Sequence, residues 1–295
     1  KLTPVEAKGI EVDAGSWVRS GIATSGTDND ALRISRLFDL VEKELPTAEA
    51  RYTDWTAFAL KWAELSSLVH CGNSTEYQTR LREIGDALNT TFAAWLADHY
   101  SSLINLPPTN PAMLHHVPRR LARDIEDSGS SRAALIVVDG LALDQWVTIR
   151  QLLQKQDANL VMRESATFAW IPTLTSVSRQ SIFSGKPPLY FPSSINSTNS
   201  EEKLWKQFWE GHGLSRLDVA YQRGLGDGDA AGVLDSAIHP GKTKVVGLVV
   251  DKVDKIMHGM QLGSAGMHNQ IKQWCQGGFL AALVGQLLEY GYEVW

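Results

Sequence analysis

The stretch Ala134-Leu135-Ile136-Val137-Val138-Asp139-Gly140 decides the fold. An apolar run without alternation is what a strand buried on both faces of a parallel sheet requires. The Asp-Gly pair that ends it predicts a turn at the strand's carboxyl end, where the glycine lets the backbone swing beside the carboxylate. Downstream, Asp144 to Leu153 reads as the crossover helix. Asn159 to Ile171 reads as extended, and Ser176 to Phe183 as the opening of a helix. Leu217 to Gln222 and Val245 to Val250 read as two further strands, Gln270 to Tyr290 as one helix, and Tyr292 to Trp295 as the start of another strand. Ser193–Ser200 and Gly224–Gly232 carry the composition of surface loops. Strand alternating with helix predicts a doubly wound, mostly parallel α/β sheet.

Upstream the period changes. From about Ala31 to Leu106 the apolar residues recur at helical spacing. Ile34, Leu37, Phe38, Val41 and Leu45 form one stripe, stopped by Pro46. Trp55, Phe58, Trp62, Leu65 and Val69 form a second, broken at Gly72-Asn73. Tyr77, Leu81, Ile84, Leu88, Phe92, Trp95 and Tyr100 form a third. Such aromatic stripes are expected to be bundle core rather than a ligand pocket. Pro107, Pro108 and Pro111 mark a linker, so the expected organisation is an α-helical region over 1–125 and an α/β domain over 126–295.

Composition narrows the function class. A length of 295 residues suits about two domains. The chain has no run of about 18 apolar residues, so no membrane helix is expected. It opens Lys1-Leu2-Thr3-Pro4, without a starting Met or an export leader, which is expected of a piece of a longer protein. Cys71 and Cys275 lie far apart and supply neither a zinc knuckle nor a disulfide framework, which points to the cytoplasm. A net charge of −5 argues against a nucleic-acid coat. It leaves room for a phosphodiester substrate, because bound metals supply positive charge locally.

Three segments carry chemistry. Asp139, at a predicted strand end, is a candidate metal ligand; its alternative is a helix cap. Thr175 sits in Pro172-Thr-Leu-Thr-Ser176, where a hydroxyl at the start of a helix is placed to meet a phosphate. Residue chemistry alone leaves Thr173 and Ser176 as equal candidates for the nucleophile. Asp254 and His258 stand one helical turn apart and can face one ion, a carboxylate–imidazole pair that suits zinc, with Asp251 a further ligand or a supporting partner. All three segments are expected at the carboxyl ends of strands, the usual ligand rim of such sheets. His115, His116 and His268 are expected to be hydrogen-bonded or surface histidines, and Pro118-Arg-Arg120 a solvated helix start. Gly241-Lys-Thr243 lacks the first glycine of a P-loop and precedes its strand, so nucleotide binding by that route is rejected.

These segments together resemble the alkaline phosphatase superfamily, and within it the PglZ family of bacterial BREX phage-defence systems. The likeness covers about Ser131 to Trp295. It rests on Leu135–Gly140, on Ile171-Pro-Thr-Leu-Thr-Ser-Val-Ser-Arg179 with Phe183-Ser-Gly185, and on Asp254-Lys-Ile-Met-His258. Pro111–Pro118 and the helical region are similar to PglZ as well. The resemblance implies an alkaline-phosphatase-like fold, phosphoester hydrolysis of the phosphodiesterase or nuclease kind, and two divalent metal ions, zinc favoured over manganese. It implies Thr175 as nucleophile, with Asp139 and Thr175 at one ion and Asp254 and His258 at the other. Implied partners are other BREX subunits, including the DNA methyltransferase, with a nucleic acid or nucleotide as substrate and no membrane. The family's next Asp-His segment would follow Trp295, so this stretch by itself is expected to be inactive or slow. The alternatives are a catalytically degenerate scaffold that binds other BREX subunits, and a phosphomutase-like enzyme of the same superfamily.

Overall fold

The computed structural model describes residues 27–72, 74–128, 132–239, 241–259 and 263–295. Lys1–Pro4, Asn73 and Ser131, on which parts of the sequence reading fall, lie outside the described residues.

Among the described residues, four strands form one all-parallel sheet in the order β2-β3-β1-β4: β1 (Ala133–Val138), β2 (Val219–Leu225), β3 (Val245–Val250) and β4 (Glu293–Val294). β1 and β3 pair in register along their whole length, from Ala133 opposite Val245 to Val138 opposite Val250. Their side chains alternate between two cores, which is why both strands are apolar throughout. Ala134, Val246, Leu248 and Val250 face a core covered by α5 (Leu143–Gln156), α8 (Ala230–Ala237), α9 (Lys252–His258), α10 (Gly263–Gln276) and α11 (Phe279–Glu289). Ala133, Leu135, Val245 and Val249 face the opposite core, built with α4 (His116–Ser128), α6 (Thr175–Ser184) and α7 (Glu201–Glu210). Gly247 lies where a Cβ would meet Phe183 at 2.9 Å and Trp205 Nε1 at 3.0 Å, so only a bare backbone lets those two rings reach the sheet.

The helical region is α1 (Thr27–Lys43), α2 (Tyr52–Cys71) and α3 (Thr75–His99). The Oγ of Ser74 caps α3 by accepting from the Tyr77 amide. The three predicted stripes close on each other: Phe38, Val41, Phe58, Leu65, Leu81 and Ile84 are buried together. Leu45 lies beyond the end of α1 and is exposed. A second cluster, with Trp55, Trp95, Met113, Phe168, Trp170 and Val177, joins this region to the α/β domain. The α4 helix, which spans the 125/126 boundary, contributes Leu121 and Ala122 to the sheet core.

Two expectations are corrected. Asn159–Ile171 is not a sheet strand but irregular chain, with a single parallel bridge between Met113 and Phe168. Phe168 and Trp170 bury themselves among the aromatics of the joining cluster. The Tyr100 hydroxyl donates to the Ala169 carbonyl at 2.7 Å and accepts from the Ile171 amide at 3.0 Å. These contacts draw the segment away from the sheet. Gln270–Tyr290 is likewise two helices, α10 and α11, parted at Gly277-Gly278, where Gly278 has φ +83°. That left-handed conformation ends one helix and re-aims the next. Among the described residues, no helix is long and apolar enough to cross a membrane.

Candidate functional site

The carboxyl ends of β1 and β3 lie side by side, and the amide of Asp139 donates to the Val250 carbonyl at 2.9 Å. Asp139 and Asp251 therefore leave the sheet as neighbours. Gly140, at φ +72°, presses against α9: a Cβ there would lie 3.0 Å from Asp254 Cα and 3.2 Å from its Cβ. The Asp-Gly turn is thus what lets α9 pack at Asp254 against the residue that follows Asp139. One turn further along α9, His258 Nε2 lies 3.5 Å from Asp254 Oδ1, with the imidazole 75% exposed. Asp251 precedes α9 without capping it through its side chain. Its Oδ1 is buried and lies 3.0 Å from Lys255 Nζ, but out of hydrogen-bonding geometry.

Thr175 is the first residue of α6 and is exposed. It arrives from irregular chain, after the cis Ile171–Pro172 bond, rather than from a strand. Its relation to Asp139 runs through Arg179, one turn later on the same helix face. Arg179 donates to Asp139 Oδ2 at 3.0 Å and to Glu201 Oε2 at 2.5 Å. The Ser176 hydroxyl is engaged elsewhere, donating to the Ile195 carbonyl at 2.7 Å. Thr173 is exposed beside it.

Beneath the rim is a buried network that the sequence reading missed. Asp139 is 8% exposed, Arg179 7% and Glu201 0%. The Tyr221 hydroxyl donates to Glu201 Oε2 at 2.5 Å. Burial would lower the Arg179 pKa, but its bonds to Glu201 and Asp139 outweigh that and raise it. Burial raises Glu201 above the usual carboxylate range, with Arg179 and Tyr221 pulling part of the way back. Arg179 lay within the quoted motif, but nothing in the sequence linked it to Glu201 or Tyr221, which come from α7 and β2.

The donor chemistry at the rim, carboxylates with one imidazole, is of the kind that divalent metals take. The number falls short: among the described residues no three His, Cys, Asp or Glu side chains come together as a metal-holding group. One oxygen of Asp139 is also occupied by Arg179. These residues do not by themselves make up a metal site.

A family model for the BREX system PglZ alkaline phosphatase-like domain matches residues 117–295, more than half of the chain. The chain belongs to the PglZ family. No curated protein matches it. The four-stranded parallel sheet with an N-terminal helical region agrees with the alkaline-phosphatase-like fold of PglZ. PglZ membership suggests a phosphatase-fold hydrolase in phage defence and implies a place in a multi-subunit system. The superfamily generally uses divalent metals.

Proposed function

We propose that the protein is a metal-dependent phosphoester hydrolase of a phage-defence system, with Thr175 as its nucleophile. The observation that carries this reading is the approach of Gly140 to Asp254, which brings Asp139 and the Asp254–His258 pair to one edge of the sheet. Arg179, bonded to Asp139 and one turn below Thr175, ties the start of α6 to the same edge. Asp139 with Thr175, and Asp254 with His258, would each contribute to holding a divalent ion, zinc favoured over manganese, with Asp251 in support. Such an ion supplies positive charge to the phosphate and lowers the pKa of a bound hydroxyl.

The remaining chemistry belongs to the chain. The first amides of α6 lack carbonyl partners within the helix and favour an anion at that end. The Thr175 oxygen bonds to phosphorus as its hydroxyl proton passes to solvent, the P–O bond to the ester breaks with the departing oxygen protonated by water, and a second water then cleaves the phospho-threonine and restores the hydroxyl. Ser176 is the poorer alternative because its hydroxyl already bonds Ile195. The substrate class is a phosphodiester, a nucleic acid or a nucleotide, and the setting is the bacterial cytoplasm, alongside other BREX subunits such as the DNA methyltransferase.

The test is turnover of a chromogenic phosphodiester by the full-length protein with added zinc or manganese. Thr175→Ala should lower the rate by about a thousand-fold or more while metal binding through Asp139, Asp254 and His258 is largely preserved. Turnover retained in that variant would refute Thr175. One observation favours a second reading, a scaffold without hydrolysis: Asp139 is committed to a buried arginine, and no three donors converge among the described residues. A full-length protein that binds its partner subunits but no metal, and turns over nothing, would select that reading.

A further inference from the structure

At the end of α6 remote from Thr175, a pocket of about 390 Å³ opens between α4, α6 and α7. The 10 residues of α6 separate its two ends by about 15 Å, so the pocket is distinct from the rim. Arg119, Arg123, Lys186, Phe208 and His212 line it, with Glu126 as the one carboxylate among the described residues. Pro118-Arg-Arg120 is expected from the sequence to be a solvated helix start, but Arg119 is half-buried. Its Nε donates to the Gly185 carbonyl at 2.7 Å. Its two terminal nitrogens, open to solvent, have no hydrogen-bond partner among the described residues. Arg33, Arg80, Arg120, Arg150 and Arg179, which are also half-buried or buried, each pair with a carboxylate. Arg119, Arg123 and Lys186 pair with none among the described residues. Glu126 faces His212 instead, its Oε1 lying 3.6 Å from Nδ1.

We propose that this pocket binds a nucleoside monophosphate, with the phosphate on Arg119, Arg123 and Lys186 and the base against Phe208 and His212. Arg119 and Arg123 stand one turn apart on one face of α4, and Lys186 follows the end of α6. Because Nε is committed to Gly185, the Arg119 guanidinium offers its terminal edge, which two oxyanion oxygens can take side by side. Three cations against one carboxylate favour a phosphate monoester dianion over a lone carboxylate. The aromatic side is built in. Gly185 has φ +62°, and a Cβ there would meet the Phe208 ring at 2.6 Å, so the bare turn lets that ring pack against the helix end. The His212 ring lies 4.7 Å from that of Phe208. A nucleobase has the flat face that stacks on such rings.

A structural role for Arg119, closing the end of α6, accounts for its Nε alone. It leaves the terminal nitrogens idle and gives no part to Arg123 or Lys186, whose side chains make no hydrogen bond among the described residues. Burial holds the Arg119 pKa below its ordinary value, against Tyr190, as expected of a cation short of counter-charge. An anion in the pocket supplies that charge. The pocket shares no residue with the rim, so this assignment does not depend on hydrolysis there.

The test is isothermal titration of the full-length protein with AMP, with adenosine and orthophosphate for comparison. AMP should bind at least about ten-fold more tightly than either, since each lacks half of the contacts. Arg119→Gln should weaken AMP by about ten-fold or more, and Arg123→Gln and Lys186→Gln by about two- to five-fold each. Arg36→Gln, at an exposed arginine of α1, should change nothing. Turnover of the chromogenic phosphodiester should be the same in Arg123→Gln and Lys186→Gln as in the wild type, because neither touches the rim. If Arg119→Gln does not fold, the two exposed positions decide. No binding at about 1 mM AMP, or an affinity unchanged in both of those variants, would overturn the proposal. So would orthophosphate binding as tightly as AMP, or tighter binding by polyglutamate or by an oligonucleotide without a terminal phosphate.

Discussion

Removing the Arg179 guanidinium is the sharpest test of what holds the rim in place. In Arg179→Leu the leucine fills part of the space, but Glu201, fully buried, loses its only charged hydrogen-bond donor among the described residues, and Asp139 loses its bond at 3.0 Å. Tyr221 still donates to Glu201 Oε2, while Oε1 has no hydrogen-bond partner. Breaking a buried ion pair from one side costs about 3–5 kcal/mol, mostly the penalty of an uncompensated buried charge. For a domain of this size each kcal/mol moves the melting temperature by about 2–4 °C, so a drop on the order of 10 °C is expected.

The pH dependence gives an independent check. Glu201 already has a raised pKa in the folded protein, and loss of Arg179 raises it further. A carboxyl whose folded pKa exceeds its unfolded value takes up a proton on folding as pH falls. The deficit of the variant should therefore be largest near about pH 8 and should shrink towards about pH 5. Urea denaturation at both pH values measures it. The double variant Arg179→Leu/Glu201→Leu should recover part of the loss, because no unpaired carboxylate then remains at position 201. A single variant less than about 1 kcal/mol down, or a deficit that widens on acidification, would refute the network as a stabilising element.

Other perturbations read other parts of the molecule. Gly140→Ala forces a Cβ to 3.0 Å from Asp254 Cα at φ +72°, so a loss of at least about 1–2 kcal/mol is expected in chemical denaturation. A change within about 0.5 kcal/mol would show that the turn against α9 is slack. His268, raised to about 9 from an ordinary 6.5, contributes stability that is fully present below about pH 6.5 and is lost as pH climbs through about 9. Wild-type stability should fall by up to about 3 kcal/mol across that window, and the His268→Gln curve should be flatter there. Parallel curves would remove the Asp144 pair as the cause.

The parts of the fold that local pattern governs were legible in the sequence. Val245–Val250 could be read to its last residue, because a strand buried on both sides allows nothing polar, and it pairs residue for residue with β1. The three helical stripes were legible for the same reason, each burying one face. Asn159–Ile171 misled because Phe168 and Trp170 resemble strand residues, while most of the partners that bury them lie far upstream in the chain, as the bond from Tyr100 to Ala169 shows. Gln270–Tyr290 misled because its apolar period survives the Gly277-Gly278 break, and only the positive φ of Gly278 reveals the change of direction. At the site, Asp139 and Asp254 could be expected near each other once their strands were placed. The Arg179–Glu201–Tyr221 chain joins three separate elements and the His268–Asp144 pair joins two, and no spacing along the chain encodes them.

The Arg179 bond bears on how the rim can work. A carboxylate has two oxygens and about four acceptor positions, and Arg179 uses Oδ2 of Asp139. Oδ1 remains for another partner. An outer hydrogen bond that fixes a ligating carboxylate lowers the entropy lost when it binds, which is the usual role of groups behind metal ligands. Glu201, held by Tyr221, then matters as the balance for that cation: without it, a buried guanidinium would repel the positive charge of an ion proposed to sit at Asp139. With Glu201 beneath it, the three charges Asp139, Arg179 and Glu201 sum to −1, so the rim keeps the sign that a divalent cation needs. The same arrangement also suits a scaffold that needs only a rigid edge. The difference between the two readings therefore rests less on Asp139, which is fixed in either case, than on Thr175, whose exposed position at the start of α6 serves no packing purpose.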